Sequence, residues 1–177
     1  MDLPSHEPGV EKNAMLPSRH VVRVLIIKEG KICLGTKQDK VDGHTIYMFP
    51  GGGVEVHQSE VDAAINECLE EVGIAVTDIR DLGYRTTKPF KSFSKDRLGM
   101  FISTKTTYFC ATYKEINTTR YGDDGDQMPY VWVTPNEAIE LMKTSSFAED
   151  DCEAIRRYKR MAQNLATFTD IPSYGNW

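Results

Sequence analysis

Apolar and β-branched residues run in short stretches through the first half of the chain, and helical spacing takes over in three places. His20 to Ile27 (HVVRVLII) reads as a strand, Glu29-Gly30 as a turn, and Lys31 to Gly35 as the returning partner of a hairpin. Thr45 to Phe49 is a further short strand, stopped by Pro50 and the run Gly51-Gly52-Gly53. From Ser59 to Val72 the period changes. Val61, Ala64, Ile65, Cys68, Leu69 and Val72 recur on one face of a helix, with Ser59 as N-cap and Gly73 where a terminating glycine belongs. Ile74 to Thr86, Thr104 to Tyr113 and Tyr130 to Val133 read as strands. Pro135 to Lys143 is a helix with Thr134 as cap and Pro135 in its first turn, and Glu149 to Leu165 is another. Strands, one helix, more strands and then helices predict an α+β domain with a mixed sheet. The expected division is a flexible arm over residues 1–18, a domain over 19–166 and an irregular tail over 167–177.

A chain of 177 residues with 27% charged positions supports one such domain and is not the composition of a disordered protein. No apolar run approaches the roughly 20 residues of a membrane span. The first residues, MDLPSHEPGVEK, have no apolar core of a secretory signal, and the four cysteines (Cys33, Cys68, Cys110, Cys152) form no CxxC pair. A reducing cytoplasmic setting without structural disulfides or zinc is the expectation. The net charge of −5 weighs against a dedicated nucleic-acid binder.

That charge is unevenly spread. Val41 to Ile79 contains no Lys or Arg but holds Asp42, Glu55, Glu60, Asp62, Glu67, Glu70, Glu71 and Asp78, a local −8 that leaves +3 for all other residues. On the helix, Glu67, Glu70 and Glu71 fall opposite the apolar face, at mutual spacings that repel by about a few tenths of a kcal/mol per pair. A purely structural helix would normally intersperse Lys or Arg, and a solvated acidic face is the competing account of the three glutamates taken alone. A hard divalent cation would turn the repulsion into coordination.

The glycines and the glutamates together are more specific than either alone. Phe49-Pro50-Gly51-Gly52-Gly53-Val54-Glu55 followed by Glu67-Cys68-Leu69-Glu70-Glu71-Val72-Gly73-Ile74 resembles the Nudix box, G-x5-E-x7-R-E-U-x-E-E-x-G-U with U apolar. With Gly52 as the first glycine, Glu67, Glu70, Glu71, Gly73 and Ile74 fall on their family positions without a gap. Two positions depart: Gln58 stands for the first glutamate and Asn66 for the arginine, which in the family supports the neighbouring glutamate. An asparagine cannot make that bidentate pair.

The resemblance implies a Nudix fold, a mixed sheet between helical layers. It also implies a Mg-dependent pyrophosphohydrolase, with Mn as an alternative ion, acting on a nucleoside diphosphate linked to another moiety. The substrate would be a small nucleotide, sugar nucleotide or nucleoside triphosphate. Glu67, Glu70, Glu71 and the Gly51 carbonyl would hold the metal, and Glu67, Glu70 or Asp126 would serve the attacking water. Asp123 and Asp124 compete with Asp126 for the extra carboxylate of the acidic loop Asn117 to Gln127. The departures at Gln58 and Asn66 keep a second expectation open: a Nudix-fold module that holds a nucleotide with weak or no hydrolysis.

The loop Thr87 to Gly99 carries Lys88, Lys91, Lys95 and Arg97 against Asp96, with Phe90 and Phe93 interleaved. Lys88, Lys91 and Arg97 are expected to bind substrate phosphates; an ordinary solvated hairpin tip is the competing account. His44 and His57 flank the glycine loop, more in keeping with surface positions than ligands. Cys68, Tyr108, Phe109 and Tyr113 are expected in the core. For the assembly, a homodimer is one expectation.

Overall fold

β1 (Ser18–Lys28) carries its apolar residues almost without interruption because both of its faces are covered. The computed structural model describes residues 17–90, 101, 103–117, 127–145 and 147–169. In chain order, β1 is followed by β2 (Lys31–Gln38), β3 (Thr45–Met48), α1 (Glu60–Val72), β4 (Ile74–Pro89), β5 (Ser103–Ile116), β6 (Tyr130–Val133), α2 (Pro135–Met142) and α3 (Ala148–Thr169). The sheet order is β3-β2-β1-β5-β4, with β6 also paired to β2. β1 and β5 run parallel and the other pairs antiparallel, so the sheet is mixed as expected.

Alternate residues of the central strands supply two cores. Val22, Val24, Ile26, Cys33 and Phe109 pack with Ala63, Ala64, Cys68 and Val72 of α1 on one face. Leu25, Ile32, Leu34 and Tyr108 pack with Met142 of α2 and Ile155 of α3 on the other. The architecture is therefore helix, sheet, helix. All four cysteines are buried and free.

Several boundaries move. β4 runs on to Pro89, and Thr87, Lys88 and Pro89 pair with β5, so these three residues leave the expected basic loop. β5 gains residues at both ends, and α3 reaches Thr169, into the expected tail. On α1 the buried set is Ala63, Ala64, Cys68, Leu69 and Val72. Val61, expected in the core, is 39% exposed, because the helix turns the small Ala63 toward the sheet at its first turn.

β1 and β2 pair only around their hairpin, at Ile27 with Ile32 and Lys28 with Lys31. Beyond that they part, and the glycine loop fills the wedge. Val24 N–H donates to the Pro50 carbonyl at 2.9 Å, Val22 N–H to the Gly52 carbonyl at 2.9 Å, and Val54 N–H to the His20 carbonyl at 3.0 Å. The loop is thus held against β1, with a single bridge at Val21 and Gly53.

Candidate metal and phosphate site

α1 is aimed at this loop by its caps. The Ser59 side chain accepts from the Asp62 N–H at 3.0 Å, and Gly73, at φ 66°, donates its N–H back to the Cys68 and Leu69 carbonyls. A side chain at Gly73 would also meet Gln127. The Met128 N–H donates to the Glu71 carbonyl at 2.7 Å, so the segment entering β6 lies against the end of α1.

Glu67 and Glu71 face the glycine loop. The Gly51 N–H donates to Glu71 Oε2 at 2.8 Å. A Cβ built on Gly52 would run into the Glu67 carboxylate, so only a glycine lets that carboxylate sit where it does. A Cβ on Gly51 would strike the Val22 carbonyl oxygen. Glu70 is exposed beside them.

This placement is electrostatically costly. Burial, then the charges of Glu71 and Glu70, push the Glu67 carboxyl up to about 7, against the pull of Arg23 and Arg19. Burial also raises Glu71, opposed by its Gly51 N–H bond and by Arg23 and Lys37. Carboxylates crowded at the edge of the core next to a backbone carbonyl fit a hard divalent cation, whose charge would relieve the crowding.

Other acids of the −8 segment have structural partners. Glu60 accepts from the Thr107 hydroxyl at 2.8 Å, Asp62 accepts from the Ser59 hydroxyl at 2.6 Å, and Asp42 accepts the His44 N–H at 3.0 Å. Gln58 also works locally: its Oε1 accepts the Glu55 N–H at 3.0 Å and its own N–H donates to the Glu55 carbonyl at 3.0 Å. It closes the turn that carries His57 at φ 67° and leads into α1. His57 is exposed, in keeping with a surface position.

Among the described residues, one group of three has its ligating atoms within 4.8 Å of one another, and it is Asp39, Asp42 and His44 in the β2–β3 loop rather than the box glutamates. Those groups already serve the loop: Asp39 accepts the Asp42 N–H at 3.3 Å, and Asp42 pairs with His44. A groove of about 650 Å³ between β6 and α2, lined by Val133, Asn136 and Ile139, includes no box residue.

Of the expected phosphate-binding residues, Lys88 is half-buried and its ammonium forms an ion pair with Asp150 of α3. Lys91, Lys95 and Arg97 lie outside the described residues, as do Asp123, Asp124 and Asp126. Tyr108, Phe109 and Cys68 are buried as expected, and Tyr113 stacks edge-on against Trp132.

Arg23 is a further residue of the site that the box motif does not mark. Its Nη1 donates to the Phe49 carbonyl at 3.2 Å and approaches the Gly51 carbonyl at 3.5 Å. The signal was a single guanidinium within an apolar strand, a group that must find partners when half-buried.

The NUDIX domain family model matches residues 17–157. The chain belongs to that family. The enzyme class implied by the box, a Nudix hydrolase, agrees with this membership. Similar folds occur in a protein described as an ADP compounds hydrolase (TM-score 0.62, 18% identity, 84% of this chain and 76% of that one) and in a NUDIX hydrolase from Nitrosomonas europaea (TM-score 0.60, 16% identity, 81% and 90%). The E. coli dihydroneopterin triphosphate pyrophosphohydrolase is a third (TM-score 0.57, 18% identity, 80% and 97%). At these identities the likeness concerns the Nudix fold itself. No curated protein gives a significant sequence match.

Proposed function

We propose that this Nudix protein is a divalent-metal-dependent pyrophosphohydrolase. It would cleave a nucleoside diphosphate linked to another moiety, releasing a nucleoside monophosphate and a phosphorylated remainder, or pyrophosphate from a triphosphate. The observation that carries the reading is the pairing of Glu67 and Glu71 with the glycine loop, through Gly52 and the Gly51 N–H.

Glu67, Glu70, Glu71 and the Gly51 carbonyl are the residues that would hold Mg²⁺, or Mn²⁺ in its place. The ion would neutralise phosphate oxygens and acidify a bound water. The protein's own part is to present Glu67 and Glu71 to the glycine loop before substrate arrives, which limits reorganisation in the reaction. Glu67, Glu70 or Asp126 would take the proton of the attacking water. Support for Asp126 is its neighbour Gln127, which lies against Gly73 at the end of α1. Lys91 and Arg97 are proposed to bind substrate phosphates. Lys88, held by Asp150, is proposed to anchor the base of their loop.

Among the described residues no helix is long and apolar enough to cross a membrane. The free cysteines support our proposal of a reducing cytoplasmic setting.

The test is a panel of nucleoside triphosphates, sugar nucleotides, ADP-ribose and dinucleoside polyphosphates, each with Mg²⁺, Mn²⁺ or chelator. Release of phosphorylated products that stops with chelator is expected. Nucleotide-induced thermal stabilisation with no product from any substrate would replace this reading with a binding module.

A further inference from the structure

Arg23 is the one charged residue in the run Val21 to Ile27 of β1. Its guanidinium is not left to solvent. Nη1 donates to the Phe49 carbonyl and reaches that of Gly51. Its stem lies against the same glycine, since a Cβ there would stand 3.0 Å from both Arg23 Cα and Cδ. The Phe147 ring lies 5.9 Å away on a further side. Gly51 is therefore gripped twice, by Glu71 from α1 on its N–H and by Arg23 from β1 at its carbonyl. Arg23 also lies close enough to Glu67 and Glu71 for its charge to favour their ionised forms.

The helix has no comparable cation. Asn66 occupies the position where the box pattern has arginine, and among residues 60–72 there is no Lys or Arg. Cations near the glutamates therefore come from outside α1: Arg19 and Lys37 contribute charge to one each, while Arg23 reaches both and also holds the loop they face.

We propose that Arg23 is a positioning residue that supplies from β1 the guanidinium α1 lacks at Asn66, fixing the Gly51 carbonyl and the Glu67 and Glu71 carboxylates for a divalent cation. This rests on the metal-dependent reading above, and it makes the two sites interdependent: an arginine at position 66 should matter only when Arg23 is gone.

The experiment is a double-mutant cycle of Arg23→Met and Asn66→Arg in the full chain, read first by Mn²⁺ titration of metal-free protein without substrate, using electron paramagnetic resonance. Arg23→Met should weaken Mn²⁺ binding about tenfold, as loss of a residue that orients metal ligands does. Asn66→Arg should return the double variant to within about threefold of wild type while changing wild type itself little. The second readout is turnover. A residue that acts through the Gly51 loop should lower kcat of Arg23→Met with the nucleotide KM nearly unchanged. Arg23→Lys keeps the charge without the fork and should fall between; it carries the comparison where circular dichroism shows that the Met variant has lost its fold. Wild-type Mn²⁺ affinity in Arg23→Met, or equal effects of Asn66→Arg with and without Arg23, would overturn the proposal, as would a raised KM at constant kcat. A wild-type protein that turns over no nucleotide would remove the proposed function instead, and the Mn²⁺ cycle would still decide the role of Arg23.

Discussion

The Gly51 N–H donates to Glu71 Oε2 at 2.8 Å, joining the loop after β3 to the last turn of α1. The bond does two things. It satisfies a backbone donor at a buried glycine, and it fixes one carboxylate oxygen so that the other keeps a defined direction. Gly52 extends the same contact by admitting the Glu67 carboxylate where any side chain would exclude it.

Removing charge without shape should separate the two jobs of these glutamates. Glu71→Gln can still accept from Gly51 through its amide oxygen, and Glu67→Gln still fits against Gly52. Both should fold with a melting temperature at or above wild type, because the burial of charge, and with it the repulsion, that raises these carboxyls is relieved. Turnover should fall on the order of a hundredfold or more in Glu67→Gln. Melting curves together with product release check this; wild-type turnover in both variants would remove them from the site.

Glycine substitutions should part in the same way. Gly52→Ala pushes on the Glu67 carboxylate, the end of a side chain that can move aside. Gly51→Ala pushes on the Val22 backbone oxygen within the sheet, which cannot. The first should lose activity with little loss of stability, and the second should unfold more easily by about 1–3 kcal/mol. Urea denaturation beside an activity assay distinguishes them, and equal stability losses would show that the Glu67 carboxylate cannot move aside.

The elements around the site were legible because their signals are local. The Ser59 cap, the Gly73 terminator and the Thr134-Pro135 start of α2 each act within a few residues, and all are present in the structure. Periodicity places Val61 in the core because it defines a broad stripe, whereas packing against the sheet decides the stripe's edges and leaves Val61 exposed. Arg23 was not legible, since its carbonyl partners lie 26 and 28 residues further along and meet it only where β1 and β2 part. Lys88 read as a free basic residue for the same reason: its partner Asp150 arrives from α3.

That ion pair predicts a structural role for Lys88. Asp150 is buried and is also the acceptor of the Tyr84 hydroxyl at 3.2 Å. Lys88→Met would leave its carboxylate with one neutral partner. The lysine is 43% exposed, so the loss should be well below that of a fully buried pair, about 1–2 kcal/mol. The nucleotide KM should stay near wild type. Chemical denaturation and steady-state kinetics check this; a large KM rise with unchanged stability would return Lys88 to the phosphate-binding set.

Asp151 should set a pH dependence of stability. Burial raises its carboxyl from an ordinary 3.8 to about 6, although Arg23 and the Tyr108 hydroxyl, which donates to it at 3.0 Å, both favour the ionised form. Asp150 opposes ionisation and Lys88 favours it. The native state therefore holds this proton more tightly than the unfolded chain. Its stabilising effect is full below about pH 4 and is lost as pH rises through 6. Asp151→Asn keeps an acceptor for Tyr108 and has no proton to lose. Measured against wild type, the variant should gain stability steadily between about pH 4 and 6, by roughly 3 kcal/mol at most, and hold that gain to pH 7. Acids elsewhere titrate in both proteins and cancel in the difference. Urea midpoints at pH 4, 5, 6 and 7 provide the comparison, and parallel curves across that window would show that Asp151 ionises at its ordinary value.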